Sequence, residues 1–343
     1  MANLSITTVC NKKCPYCFAE DARVARHGAG DMTRECFLEA LDFLRRSGMD
    51  QVRLLGGEPT LHKDFAWMLE KSLAEGFKIL VFTNGLVAPA TLSLMKGIGA
   101  DRLRVLVNTI HPLEKNPAGT ARQRETLRQL GKAAIVGVNI YCREQSLDYL
   151  VDYVREFGLW TEIRVGVAHP LLAGRNRFLP TKFYRDIGAR IADLHGKAAR
   201  HKIKLGLDCG FVPCMFPPES LKIMDDMLAN AGVACNPIPD LLPDGRFIAC
   251  YPLESLVVGQ PGVWGFARPS GKTSEACAPV PSPAKVPLDD EATVERVREH
   301  LHQALKFTEE IGIYPYCGQC PLFKGRCTGG CIAQKLRRLG MHA

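Results

Sequence analysis

Long hydrophobic runs are what this sequence most plainly lacks. Its longest apolar stretches, AAIVGV (133–138) and KILVF (78–82), fall far short of the roughly 20 residues a bilayer crossing requires. The opening residues MANLSITTV are too short and too mixed to read as a secretory leader. Both absences point to a cytoplasmic protein with no membrane partner. A strong charge of one sign is also missing, since 44 basic against 36 acidic side chains leave a net charge of only +8. The basic residues are scattered, without a long basic run or an aromatic-interleaved stripe, so nucleic acid is not an expected partner.

Cysteine is abundant by contrast, with 14 in 343 residues. In a reducing compartment clustered thiols signal metal binding or catalysis rather than disulfides, and a chain this long can bury a core without covalent staples. The first cluster is CNKKCPYC, where Cys10, Cys14 and Cys17 follow the spacing C-x3-C-x2-C. Three thiols leave a tetrahedral ion one ligand short. A structural zinc site is the plain alternative, but no fourth Cys or His stands at finger spacing, and His27 is ten residues on in a Gly-rich stretch.

The first 168 residues have a regular rhythm. Strand-like runs at 4–9, 51–56, 78–83, 102–108, 134–142 and 162–168 alternate with amphipathic stretches such as TRECFLEALDFLRRS, several of which end in a capping Gly. Six such units predict a parallel sheet with helical crossovers, either an open doubly wound sheet or an incomplete barrel. In both, ligands bind at the C-terminal ends of the strands. The cysteine triplet follows strand one, GGEP (56–59) follows strand two, TNG (83–85) follows strand three, and NTIHP (108–112) follows strand four. Each alone reads as a turn; their shared phase reads as one ligand site.

These residues resemble the radical S-adenosylmethionine (SAM) superfamily: C-x3-C-x2-C after strand one, Tyr16 before the third cysteine, and Gly-Gly-Glu-Pro after strand two, over about residues 4 to 168. The resemblance implies a [4Fe–4S] cluster on Cys10, Cys14 and Cys17, with its fourth iron open to SAM. It also implies reductive cleavage of SAM to a 5′-deoxyadenosyl radical and a flavodoxin- or ferredoxin-type reducing partner. Gly56, Gly57 and Glu58 match the motif that holds the methionine ammonium. Asn108 matches a ribose contact, Arg164 a partner for the SAM carboxylate, and Tyr16 a shield on the adenine side.

Beyond residue 168 the alternation stops. HPLLAGRNRFLP reads as a linker, 181–201 as a helix and KIKLGLD as a further strand; then cysteines dominate. Cys235 and Cys250 flank a hairpin turn at Gly245, and Cys317, Cys320, Cys327 and Cys331 form C-x2-C-x6-C-x3-C. Over roughly residues 205 to 335 this resembles the SPASM extension, which binds up to two auxiliary [4Fe–4S] clusters. Two departures stand out: six residues where five are usual in the last group, and no cysteine after Cys331. The resemblance places Cys235, Cys250 and Cys331 on the first auxiliary cluster, with Cys214, and Cys317, Cys320 and Cys327 on the second. The fourth ligand of the second stays open between Cys209, Cys277, a non-cysteine ligand and none.

The expected architecture is therefore α/β, a partial (β/α)6 barrel of the radical SAM type (1–168), a linker and bridging helix (169–204) and a small Cys-rich α+β auxiliary-cluster domain (205–343). Cys36 reads as a core thiol, and Cys142 as either core or close to substrate. Asp208 reads as a candidate base or a turn carboxylate, and Cys277 lies in a Pro-rich stretch (268–288) where it is a candidate hydrogen donor. The expected reaction is oxidative modification of a ribosomally made peptide, with a separate peptide-recognition protein as a further partner. Oxidation or epimerisation of a sugar, aminocyclitol or amino acid is the alternative. An electron carrier is disfavoured by the intact GGEP.

Overall fold

The computed structural model describes residues 1–19, 30–172, 175–221, 235, 238–254, 256–258, 264–266 and 293–341. His27 and Cys277 lie outside the described residues. Seven strands run in sequence order as neighbours: β1 (Asn3–Thr7), β2 (Gln51–Gly56), β3 (Lys78–Thr83), β4 (Leu103–Asn108), β5 (Ala134–Ile140), β6 (Glu162–Val167) and β7 (Lys204–Leu207). Each pairs in parallel with the next, as in Leu4 with Leu54, Val81 with Val105 and Val165 with Leu207. Helices α1 (Arg34–Arg46), α2 (Phe65–Ala74), α3 (Pro89–Ile98), α4 (Pro117–Leu130), α5 (Tyr149–Glu156) and α6 (Tyr184–Ala199) provide the crossovers. The six expected units are present, and α6 with β7 adds a seventh to the same sheet, within the stretch read as linker and bridge.

Period-two alternation divides the sheet into two unlike faces. Leu4, Val52, Val81, Val105, Val136 and Val165 point into the main core beneath the helices. The residues between them, among them Arg53, Asn108, Asn139, Arg164 and the glycines Gly137, Gly166 and Gly206, line the other face. Glycine there makes room: a Cβ on Gly166 would stand 2.7 Å from Asn139 Oδ1 and 2.9 Å from Asp208 Oδ2. A sheet covered by apolar helices on one side leaves the face with these polar groups available to a polar ligand.

Two short strands, β8 (Asp240–Leu241) and β9 (Phe247–Ile248), form the hairpin that the Gly245 turn predicts. β8 pairs in parallel with β1, through Asn3 with Asp240 and Leu4 with Leu241, so the Cys-rich half is built into the edge of the main sheet. The order is β7-β6-β5-β4-β3-β2-β1-β8-β9, an open sheet. Two helices follow, α7 (Val294–Leu305) and α8 (Ile332–Arg338). No helix among the described residues is long and apolar enough to cross a membrane. Cys36 packs half-buried against the core, where burial pushes its thiol up to about 11.

Asp240 yields a pH prediction. It is buried, accepts a hydrogen bond from Asn3 Nδ2 at 2.8 Å, and burial pushes its carboxyl up to about 7. The folded chain therefore holds this proton more tightly than the unfolded chain. Stability is full below the ordinary carboxyl value near 4 and falls as pH rises through about 7, by on the order of 4 kcal/mol. Asp240→Asn should flatten that decline, and urea unfolding at pH 5 and pH 8 reads it. An unchanged slope in the variant would sink the assignment.

Candidate active site

The rim at the C-terminal strand ends is drawn together by backbone. Gly57 N–H donates to Thr7 O and Glu58 N–H to Val9 O, both at 2.7 Å, so the loop after β2 runs as an extra rung beside the segment entering the cysteine triplet. Only glycine permits this. Gly56 takes φ +141°, and a Cβ at Gly56 or Gly57 would stand 2.3 Å from Thr7 O or 2.1 Å from Val9 O.

Glu58, which follows, is fully buried. Its Oε1 accepts from the Thr60 and Thr83 hydroxyls at 2.6 and 2.7 Å and from Thr60 N–H at 3.3 Å; its Oε2 accepts from Asn84 N–H at 2.7 Å. Burial holds its pKa above the usual carboxylate range, with the hydrogen bonds opposing. No Lys, Arg or His pairs with it among the described residues. Since a carboxylate offers about four acceptor positions, Oε2 retains one.

Asn84, in the TNG loop that the sequence places on the rim, and Gln123, which it did not single out, tie the rim together. The Asn84 amide donates to Asn11 Oδ1 at 2.8 Å and lies 3.7 Å from Cys10 Sγ. Gln123, reaching up from α4, donates to Asn84 O and Asn108 O at 2.7 and 3.0 Å. A buried Lys12–Glu114 ion pair at 2.7 Å pins the triplet to the turn after β4. Within the triplet, burial pushes Cys14 up to about 11, opposed by the Lys12 charge, with Cys17 and Cys10 as electrostatic neighbours. Among the described residues no three Cys, His, Asp or Glu converge as on a single ion. Three neighbouring thiols fit a four-iron cluster, in which each thiolate takes a different iron and the ligands surround the group.

Tyr16 lies beneath the triplet, buried, stacked on Tyr141 with ring centroids 5.2 Å apart and close to Asn139 and Cys14. Asn108 meets Asn139 Nδ2 at 3.4 Å. The structure thus gathers Cys14, Tyr16, Asn108 and Asn139 on the polar face. Arg164 and Asp208 are there too, but as an ion pair with each other. The sequence reading had Arg164 as a partner for the SAM carboxylate and Asp208 as a candidate base; here each side chain also has the other as a partner. Cys142 follows β5 half-buried, its N–H donating to Gln145 Oε1 at 3.1 Å, and burial raises its thiol.

The C-terminal cysteines fall into two groups. Burial pushes Cys235 up to about 12 and Cys331 to about 11, and these two with Cys209 are the thiols that act on Cys250. Cys214, by contrast, neighbours Cys317, Cys320 and Cys327. The resemblance placed Cys214 with Cys235, Cys250 and Cys331, whereas its thiol neighbours here are Cys327, Cys317 and Cys320. The cause is the turn Pro213–Met215, which packs under the cysteine-rich segment so tightly that a Cβ on Gly330 would lie 3.1 Å from Val212.

Comparison with known proteins accords with this geometry. Residues 4–156 match the family described as the Radical SAM superfamily. A curated relative, an S-adenosylmethionine-dependent nucleotide dehydratase of Selenomonas ruminantium, is 35% identical over 113 residues, covering 32% of this chain and 39% of that protein. A probable GTP 3',8-cyclase of Methanococcus maripaludis is 29% identical over 173 residues, covering 47% and 56%. The chain thus spans about half or less of the length of these relatives. Among solved structures, Streptococcus suis SuiB bound to S-adenosylmethionine superposes with TM-score 0.60 at 16% identity over 97% of this chain and 72% of that one. Native anSMEcpe with bound AdoMet superposes with TM-score 0.63 at 16% identity over 96% and 88%. These likenesses are of fold.

Proposed function

Because residues 4–156 form a radical SAM domain, we propose that this protein cleaves SAM reductively for C–H activation and oxidatively modifies a ribosomally made peptide. The observation that carries the SAM site is Glu58: a fully buried carboxylate with an acceptor position left and no cation partner among the described residues, at the rim near the triplet. A ligand ammonium completes it. Cys10, Cys14 and Cys17 would hold a [4Fe–4S] cluster, which when bound supplies an open iron for SAM and the electron that breaks its sulfonium bond. Gly56 and Gly57 bring the backbone against the bound methionine, Tyr16 walls the site, and Asn108 faces the ribose side. Glu58→Gln should weaken SAM binding by roughly tenfold to a hundredfold, the range for a charge-assisted hydrogen bond. Cluster iron should be unchanged. Equal SAM affinity in anaerobic equilibrium dialysis would refute the role.

Cys209, Cys235, Cys250 and Cys331 would hold one auxiliary cluster, and Cys214, Cys317, Cys320 and Cys327 a second. Eight thiols in two groups of four match the donors that two cubanes require. They would accept the electron that leaves the substrate, with a proton, after hydrogen-atom removal. The peptide reading is favoured by likeness over nearly the whole chain to SuiB, a protein described with its precursor peptide SuiA bound. A small-metabolite substrate is favoured by the names of the nucleotide-acting relatives. Anaerobic incubation with SAM, reductant and either candidate peptides or nucleotides and sugars, followed by mass spectrometry, separates the two. Turnover of the small molecules alone would overturn the peptide reading.

A further inference from the structure

Lys335 belongs to α8 and is 2% exposed, among the largest fully buried side chains of the protein. Lysine is almost never buried without a partner. Its ammonium donates to Thr308 O at 3.0 Å and to Thr328 O, and no carboxylate pairs with it among the described residues. Burial lowers its pKa, and the side chains that oppose this are Cys235 and Cys331 from one thiol group, and Cys327 and Cys317 from the other. Thr328 lies at the same seam: its carbonyl accepts from Lys335, and its hydroxyl accepts from Cys235 N–H at 3.2 Å. Among neutral thiols, a buried ammonium is an uncompensated charge. Among ligated thiolates it is paired.

Resting on the reading that both groups hold clusters, we propose that Lys335 is the shared countercharge of the two auxiliary sites, and that its fixed positive charge raises the reduction potential of both. One-electron reduction adds one negative charge and takes up no proton. A cation held at short range in a low-dielectric interior stabilises that added charge. The two carbonyls fix the ammonium at the seam, so it acts on both groups at once. The effect makes each site a better acceptor of the electron released by the substrate, the direction an oxidative reaction requires.

The test uses the full chain with Cys10, Cys14 and Cys17 changed to alanine, so that only auxiliary signals remain. Lys335→Met, Lys335→Gln and Lys335→Arg are compared by iron count and by redox titration followed by electron paramagnetic resonance. Met and Gln should keep about eight irons per chain at four per cubane. Both midpoint potentials should fall, enough to change the reduced-to-oxidised ratio at a fixed potential by roughly tenfold or more. Arg, which keeps the charge, should stay near wild type. Full iron with unchanged potentials in Met and Gln would reduce Lys335 to a tie between two loops and overturn the proposal, as would a shift at one site only. Iron loss from Met and Gln but not Arg would support the countercharge; loss from all three would overturn it. In the wild-type chain, a total of about eight irons rather than about twelve would overturn the underlying two-cluster reading instead.

Discussion

Changing Cys10, Cys14 and Cys17 together to alanine is expected to abolish 5′-deoxyadenosine formation from SAM and dithionite. It should leave about eight of about twelve irons per chain, four per cubane. The separation follows from position. The triplet lies on the loop after β1, tied to Gly57, Glu58 and Asn84, whereas the other eight thiols come from residues 209–250 and 317–331. The fold should survive, because all three thiols are only half-buried and none belongs to the core beneath the helices. Anaerobic product analysis and iron counts read both parts. Undiminished 5′-deoxyadenosine from the triple variant would remove the radical site from this loop.

The second large effect distinguishes Cys214 from Cys209. Cys214→Ala should strip the site built on Cys317, Cys320 and Cys327, and Cys209→Ala the site built on Cys235, Cys250 and Cys331. Each should lose up to about four irons, but from different sites. The crossing follows from the chain path: the turn Pro213–Met215 lies under the cysteine-rich segment, while Cys209 lies just beyond the end of β7 within reach of Cys250. On that reading Cys214 would take the place of the cysteine missing after Cys331. Mössbauer spectra of the two single variants and of the double variant check this. Loss of the same site from both single variants would show that the two thiols share one cluster.

Much of the active rim was legible because its signals are local. Gly-Gly before Glu58 reflects a backbone approach that admits no Cβ. The six strands carry their burial in a period of two, and the loops after β1 to β4 share one phase. Gln123 was not legible, being one polar residue in an exposed-looking helix, and the TNG loop placed Asn84 on the rim without showing what its side chain would reach. Their importance lies in reaching Glu58, Cys10 and Asn108 across separate loops. Arg164 within β6 and Asp208 just after β7 were both singled out, but their pairing was not, since it comes from the parallel pairing of β6 with β7.

The sequence by itself determined the chemistry of the donors: three thiols in eight residues, a carboxylate behind two glycines, and a cysteine-rich C-terminal half whose spacing resembles that of iron–sulfur extensions. Such patterns follow from short-range geometry, which neighbouring residues encode directly. Tertiary structure alone decided the partners. It set β8 beside β1 across more than 200 residues, placed Cys214 and Cys209 in different thiol groups, and buried Lys335 between them. Those outcomes depend on how distant segments pack, and a cysteine, a lysine or an aspartate looks the same in sequence whichever neighbour packing brings to it.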